Sequence, residues 1–471
     1  MPRLLRVSRR LVHSGLLREA LWGAGLCLLI VGSIYVFWPK PGQSQTDAAG
    51  RPAEIPLLQV PLTPANAARI FAEYRELARR ENGALWGMRL DAPILFVDEK
   101  TRRVVTDQPD AAGVLRPEEN VFVGVLPDEV TIGGTVQEWS GTRWVMLPWP
   151  MPRAQSERML MLAHEMFHYF EPRLGIPLVT PTSAHLDTRD GRLWLRLERR
   201  ALRAALQSRD AERTVAIRDA LLFRAHRRTL FPDARRLEPS LEVVEGVAEY
   251  TGLRLAYPER EDARQRALMD FDLTDKSESF VHSFAYASGA TYALLLDDAD
   301  PEWRSGINAE SDLGEMVRTA MQLDLPADLA AATMQRAAAY DYEALAAQED
   351  RRQKDQEEFW RRCQERYVHG STLTLPVRDM KFQFDPRAVR AFKNLGRVYE
   401  QAKITDAWGI LEATGGVMIA DDWSRVVVPA PADPATVPLA GDGWRLRLNE
   451  SWELRAAERA GDLMATEHSK P

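Results

Sequence analysis

The chain has few cysteines and few histidines. It contains only two cysteines among 471 residues, Cys27 and Cys363. Because Cys27 lies inside an apolar run near the N-terminus, no intramolecular disulfide can stabilise the remainder of the chain. Only eight histidines occur, and the sequence shows no glycine-rich phosphate loop, no paired-cysteine motif and no internal repeat. These absences disfavour nucleotide-binding, zinc-finger and solenoid proteins.

Excess positive charge is confined to the N-terminus. The chain has 61 Lys and Arg against 68 Asp and Glu, which gives a formal net charge of −7. Six basic residues and one acidic residue lie in the first 40, so the rest of the chain carries −12. An acidic body disfavours nucleic acid as a partner. The length, with a hydrophobic content of 45%, predicts a folded protein of two or three domains.

A basic segment at 1–19 precedes an uncharged apolar run at 20–38. A run of this length suits a bilayer-spanning helix, and its positive flank predicts a cytoplasmic N-terminus. We therefore expect a single-pass membrane protein whose folded body lies outside the cytoplasm, facing a bacterial periplasm. A cleaved signal peptide is the alternative, although its apolar core would be shorter and followed closely by a small-residue cleavage site. Residues 39–62 are rich in proline and are typical of a linker.

The most specific motif is His164-Glu-Met-Phe-His168, which has the form HExxH. Two histidines four residues apart lie on one face of a helix, so both imidazoles can reach one metal ion. The carboxylate of Glu165 can take a proton from water, a combination that suits zinc-dependent hydrolysis. The other faces of this helix are apolar, and a buried His-Glu-His face needs an ion or an equivalent partner. A chance match is the alternative interpretation.

A second motif, Glu245-Gly-Val-Ala-Glu249-Tyr, lies downstream. Together, HEMFH and EGVAEY resemble the gluzincin group of zinc metallopeptidases. The resemblance implies that His164, His168 and Glu245 are the ligands of one Zn²⁺ ion. It also implies that Glu165 is the general base and that Glu249 accepts a hydrogen bond from the first ligand histidine.

The resemblance covers about 121–296. Glu245 follows His168 by 77 positions, a longer spacing than in the simplest members of the group. A helical region at 192–231 would account for the extra length. Its arginines are interleaved with acidic residues, which predicts a solvated helix face rather than a binding patch.

Other zinc patterns fit the sequence less well. A metzincin is excluded because Glu171 and Leu174 stand where its pattern requires glycine and histidine. His185 lies in a loop rich in Pro, Ser and Thr, where a solvent-facing histidine is more common than a ligand. His226 has three arginines close by in the sequence, an unfavourable setting for a metal ligand.

Zinc peptidases of this group usually add a Tyr or His donor that stabilises the oxyanion formed during hydrolysis. His282 and Tyr286 lie four residues apart in the small-residue-rich helical run 277–297, which would place both on one helix face. We favour Tyr286 as the donor, because a phenol stays protonated at neutral pH. Packing of Tyr286 in the core, with its hydroxyl on a backbone carbonyl, is the alternative.

The periodicity of apolar residues predicts the fold class. Helical spacing marks 64–81, and strand-like runs precede the HExxH helix at 93–98, 121–126, 136–139 and 143–147. We therefore predict an α+β protein with a zincin-like domain at 63–369. This domain would contain a small twisted sheet, the active-site helix and a mainly helical remainder. Short β-like runs after Gly370 predict a small β-rich C-terminal module at 370–471.

The sequence thus predicts a membrane-anchored zinc metallopeptidase that acts on a peptide or protein substrate. The alternative is a non-catalytic, membrane-tethered binding or scaffold protein built on a zincin fold. Retention of Glu165 disfavours that alternative, because a general base is dispensable for structure. No pattern in the sequence specifies the cleavage preference or the oligomeric state.

Overall fold

The computed structural model describes residues 55–127, 130, 132–177, 182–275, 277, 279–384, 389–392 and 395–468. These residues form a mixed structure of helices and three β-sheets, which confirms the predicted α+β class. The described residues divide into two compact units, with the division between Ala346 and Ala347. The division falls inside a long helix, whereas the first strand of the second unit begins at Thr372, close to the predicted boundary at Gly370.

The predicted localisation as a single-pass membrane protein is wrong. No helix in the described part of the chain is both long and apolar enough to cross a bilayer. The longest described helix, Tyr342–Gln364, is rich in Arg, Asp and Glu, and charged side chains are costly in a bilayer core. The predicted segments 1–19 and 20–38, and most of the linker 39–62, lie outside the described residues.

In the first unit, helix α1 (Pro64–Glu81), capped by the Thr63 hydroxyl, precedes a six-stranded sheet. The strands are β1 (Ile94–Asp98), β2 (Arg103–Thr106), β3 (Arg116–Glu118), β4 (Val121–Val125), β5 (Thr135–Trp139) and β6 (Thr142–Trp149). Their order is β3-β4-β2-β1-β6-β5, with β1 and β6 parallel and the other pairs antiparallel. Ser140 and Gly141 both have positive φ, the conformation of a two-residue hairpin turn between β5 and β6.

Helices make up most of the rest of this unit. They are α2 (Gln155–Phe170), α3 (Arg189–Gln207), α4 (Asp210–Leu230), α5 (Ala234–Leu241), α6 (Val247–Ala256), α7 (Arg260–Thr274), α8 (Phe284–Ala299), α9 (Leu313–Ala320), α10 (Leu329–Ala337) and the start of α11 (Tyr342–Gln364). A single π-helical turn, Glu242–Gly246, joins α5 to α6. Helix α2 follows β6 directly and is buried on nearly all sides, as its apolar residues predict.

The prediction of a solvated face for the helical region 192–231 is wrong for several of its arginines. The structure divides this region into α3 and α4, and several of its arginines are buried: Arg192, Arg199, Arg224, Arg227 and Arg228. Four of these guanidinium groups, those of Arg199, Arg224, Arg227 and Arg228, pair with acidic side chains, some from elements far away in the sequence. A charge pattern read along one helix cannot reveal such partners.

The second unit is a β-sandwich. Its strands are β7 (Thr372–Pro376), β8 (Lys381–Phe384), β9 (Val389–Phe392), β10 (Gly396–Tyr399), β11 (Ala402–Asp406), β12 (Gly409–Ala413), β13 (Val417–Ala420), β14 (Arg425–Pro429), β15 (Leu439–Gly441), β16 (Trp444–Leu448), β17 (Trp452–Ala456) and β18 (Leu463–Glu467). They form sheets of order β17-β18-β7-β14-β13-β10-β9 and β15-β16-β12-β11-β8. Apolar side chains from both sheets share one core, which includes Trp408. The C-terminal part of α11 packs through Phe359 and Cys363 on the outer face of the larger sheet.

Candidate metal centre

His164 and His168 lie one turn apart on α2, as the HExxH spacing predicts. Both are buried, with 5% and 8% of their surface exposed. Their ring centroids are 4.9 Å apart, and the two Nε2 atoms lie 3.2 Å from each other. Both ring nitrogens therefore point to one small volume.

The π-helical turn brings the Glu245 carboxylate to the same volume. Its Oε2 atom lies 3.6 Å from Nε2 of His164 and 3.7 Å from Nε2 of His168. Among the described residues this is the only group of three or more His, Cys, Asp or Glu side chains with the geometry to hold a metal ion. Single π-turns occur frequently at functional sites, because they redirect side chains within an otherwise α-helical segment.

Three glycines allow the helices of this site to approach closely. A Cβ atom on Gly252 of α6 would lie 2.7 Å from the carbonyl oxygen of Leu160 on α2. A Cβ atom on Gly246 of the π-turn would lie 2.6 Å from the Cα of Gly289 on α8. Contacts this short are not possible for larger residues without a backbone shift. The glycines therefore set how closely α2, the π-turn and α8 surround the donor atoms.

A carboxylate orients each histidine through its other ring nitrogen. Nδ1 of His164 lies 3.0 Å from Oε2 of Glu249, and Nδ1 of His168 lies 3.1 Å from Oε2 of Glu171. Because a carboxylate accepts hydrogen bonds, each Nδ1 carries the proton in the neutral imidazole and each Nε2 carries a lone pair. Glu249 was predicted in this position from the sequence. Glu171 was not, although its position three residues after His168 could have indicated it.

The charges at the site act strongly on one another. Burial alone would lower the pKa of His164, but the nearby carboxylates of Glu245 and Glu249 outweigh it and raise that pKa to about 9. Burial would raise the pKa of Glu245, but the two histidines outweigh it and hold that pKa well below its usual range. The carboxylates therefore favour positive charge between the two rings.

Glu165 is buried beside the histidines, and burial raises the pKa of its carboxyl group. Its Oε2 atom accepts no hydrogen bond from any described residue. A buried carboxylate oxygen without a partner costs free energy, about 1–3 kcal/mol or more. Such an atom is available to accept a proton from a molecule that enters the site.

The two predicted oxyanion donors lie in different surroundings. The ring of Tyr286, on α8, stacks against that of His164 at a centroid distance of 5.6 Å and an angle of 4°. Burial and the adjacent Glu245 carboxylate, which accepts a hydrogen bond from its hydroxyl, raise the pKa of Tyr286 well above 10. His282 lies in the turn before α8, is half-buried and is not part of the three-residue group. His185 bonds to Glu238 at 2.8 Å, in a buried cluster of charged residues.

The donor set fits a zinc ion. Two imidazole nitrogens and one carboxylate oxygen are ligands that zinc accepts. Ligands at about 2.0–2.2 Å in tetrahedral geometry lie about 3.3–3.6 Å from each other, and the observed separations of 3.2, 3.6 and 3.7 Å are close to that range. Oε2 of Glu245 accepts no hydrogen bond from the described residues, so a cation would satisfy it.

Comparisons with known proteins identify no relative. No protein-family model, curated protein or solved structure matches the chain.

Proposed function

We propose that the chain is a zinc-dependent metallopeptidase of the gluzincin type and that its first unit has a zincin-like fold. The observation that carries the proposal is the convergence of one donor atom each from His164, His168 and Glu245, with both imidazoles oriented by carboxylates. The order of elements also supports it, because a sheet leads into the HExxH helix and a second helical segment supplies the carboxylate. The peptide bond is the substrate class that the resemblance to gluzincins implies.

The roles of the residues follow from their positions. His164, His168 and Glu245 would hold the ion. Zinc, when bound, supplies a Lewis acid that polarises a carbonyl group and lowers the pKa of water. Glu165 accepts a proton at its carboxylate and passes it to the leaving amine. Tyr286 donates a hydrogen bond through its hydroxyl, which lies at the ligand Glu245, and is our candidate for the oxyanion donor.

A binding or scaffold protein explains the site less well. A site that only bound an ion would have no use for the buried Glu165 carboxylate, whose Oε2 atom lacks a partner among the described residues. A buried carboxylate oxygen without a partner lowers the stability of the fold, and it makes no contact that would stabilise the structure in exchange. A proton acceptor in a hydrolytic reaction accounts for it.

Metal analysis of the purified full-length chain tests the proposal. We expect one zinc ion per chain and cleavage of a broad peptide library that stops when a chelator removes the metal. His168→Ala should lose most of the zinc, because one of three donor atoms is removed. His226→Ala is the matched control, since this histidine packs against Trp194 and is not part of the site. Zinc binding that survives His168→Ala, or a zinc-loaded chain that cleaves no peptide, would contradict the proposal.

A further inference from the structure

A buried cluster of charged residues, which we call the ion cluster, lies next to the π-turn. Its members come from α3, α4, α5, the π-turn and the segment before α9. They are Glu198, Arg224, Arg227, Arg228, Glu238, Glu242 and Asp312. Glu198, Arg227, Glu238 and Glu242 have no exposed surface.

Such a cluster is weak evidence for stability. Removing charged groups from water costs several kcal/mol per ion, and well-packed apolar residues of similar volume are often as stabilising or more so. In some proteins a buried ionic group instead specifies one conformation among several.

Arg224 holds the first residue of the π-turn. Its guanidinium donates to both carboxylate oxygens of Glu242, at 2.8 and 2.5 Å. The same guanidinium also donates to Glu198 and Asp312, each at 3.2 Å. A bidentate pair of this kind fixes both the distance and the orientation of the carboxylate. Glu242 is therefore held by Arg224 of α4, which is itself held by Glu198 of α3 and by Asp312.

The other side of the π-turn is fixed by α8. Tyr292 of α8 donates its hydroxyl to Glu198 at 2.8 Å, so α8 is joined to the same cluster. A Cβ atom on Gly289 would lie 2.9 Å from the Cα of Gly246 and 3.2 Å from the Cβ of Glu242. Glu245 lies between these two fixed residues of the turn, Glu242 and Gly246. The conformation of the turn thus decides where its carboxylate points.

We propose that the Arg224–Glu242 pair is a positioning device for the metal site, which locks the π-turn so that Glu245 faces His164 and His168. Neither residue of the pair belongs to the donor group. The inference rests on the proposed function, because zinc is the ion for which Glu245 is positioned. An α-helical turn at 242–246 would move Glu245 relative to the histidines, since the two helix types differ in residues per turn.

Zinc affinity of the full-length chain, measured by competition with a chromogenic chelator, tests the inference. Glu242→Gln removes the charge but keeps the side-chain size, and Arg224 retains Glu198 and Asp312 as partners. We expect zinc binding to weaken by roughly 10- to 100-fold, the usual effect of losing a group that orients a ligand. The visible spectrum of the cobalt-substituted protein should change as well, because the ligand geometry is altered.

Glu238→Gln is the matched control. Glu238 is equally buried in the ion cluster, but it lies on α5 and outside the π-turn. Its partners Arg227 and Arg228 retain Glu198 and Asp312. We expect a loss of thermal stability similar to that of Glu242→Gln, with unchanged zinc affinity and an unchanged cobalt spectrum.

The outcomes separate the two proposals. Equal zinc affinity in wild type and Glu242→Gln, or equal weakening by Glu238→Gln, would overturn the positioning role and leave the proposed function intact. A wild-type chain that binds no zinc would overturn both. If Glu242→Gln does not fold, Arg224→Lys is tested in its place, because lysine keeps the positive charge but cannot make the bidentate contact with Glu242. Arg224→Lys should also weaken zinc binding. Unchanged zinc affinity in this variant would again overturn the positioning role of the Arg224–Glu242 pair.

Discussion

Nδ1 of His168 lies 3.1 Å from Oε2 of Glu171, a residue with no exposed surface at the end of the HExxH helix. The contact gives the second histidine a carboxylate partner, as Glu249 does for the first. Each imidazole is thereby held in one tautomer and one orientation. With Glu171 included, the functional motif extends three residues beyond the last histidine of HExxH.

Glu171→Gln should weaken zinc binding roughly tenfold. The amide oxygen still accepts the hydrogen bond from Nδ1, but it carries no charge and makes the imidazole a weaker ligand. Chelator competition measures the effect. Asp219→Asn is the control, because Asp219 is a buried acid on α4 that pairs with Arg336. If the two variants bind zinc equally tightly, Glu171 has no part in orienting His168.

Gly289→Ala should destabilise the protein by about 1–3 kcal/mol, because the new methyl group must push α8 away from the π-turn. The backbone of Gly246 would lie 2.9 Å from that methyl group. Zinc affinity should fall together with stability, since Glu245 adjoins Gly246. Urea unfolding measures the loss. Gly306→Ala is the control, because nothing lies within 4 Å of a Cβ atom at that position. Equal stability of the two variants would show that the close contact is unimportant.

Tyr286→Phe should lower kcat by roughly 10²- to 10³-fold while zinc content stays the same. The change removes only the hydroxyl and leaves the ring stacked on His164. Steady-state kinetics and metal analysis of the same preparation check this expectation. A loss of zinc with kcat per bound zinc unchanged would instead make Tyr286 a residue that holds Glu245.

Glu238 should make stability depend on pH in the acidic range. Burial would raise the pKa of this carboxyl group, but Arg227 and His185 outweigh it and hold the pKa well below 4.5. A carboxyl group whose pKa is lower in the folded state stabilises the protein above its unfolded-state pKa. That contribution is lost as the pH falls toward the folded-state pKa. Glu238→Gln should therefore cost about 1–3 kcal/mol near neutral pH and progressively less below about pH 4.5. Urea unfolding at several pH values checks this, and a cost that grows on acidification would refute it.

The parts of the structure that depend on local patterns could be predicted from the sequence. Apolar spacing located α1 and α2, and the strand-like runs 136–139 and 143–147 located β5 and β6. The strand-like runs after Gly370 coincide with β8, β13, β14 and β16. In each case the residues that determine the element lie within the element itself.

The features that depend on distant partners could not be predicted. Arg224 has the sequence context of a solvated residue, and its burial depends on Glu242 and Asp312, which lie 18 and 88 positions away. The π-turn that positions Glu245 has no local signature, because its conformation is held by contacts with α4 and α8. Glu171 is an exception, since its partner His168 is only three residues away, but the HExxH pattern ends at His168 and does not include it.

Peptide hydrolysis by Glu165→Gln, compared with wild type at equal zinc content, tests the central claim most directly. The substitution keeps the size of the side chain and removes only its ability to accept a proton. Glu76→Gln, on the solvent-exposed face of α1, is the control for the same chemical change elsewhere. We predict full zinc content in all three proteins and hydrolysis by wild type and Glu76→Gln alone. Hydrolysis by Glu165→Gln at the wild-type rate would contradict the account.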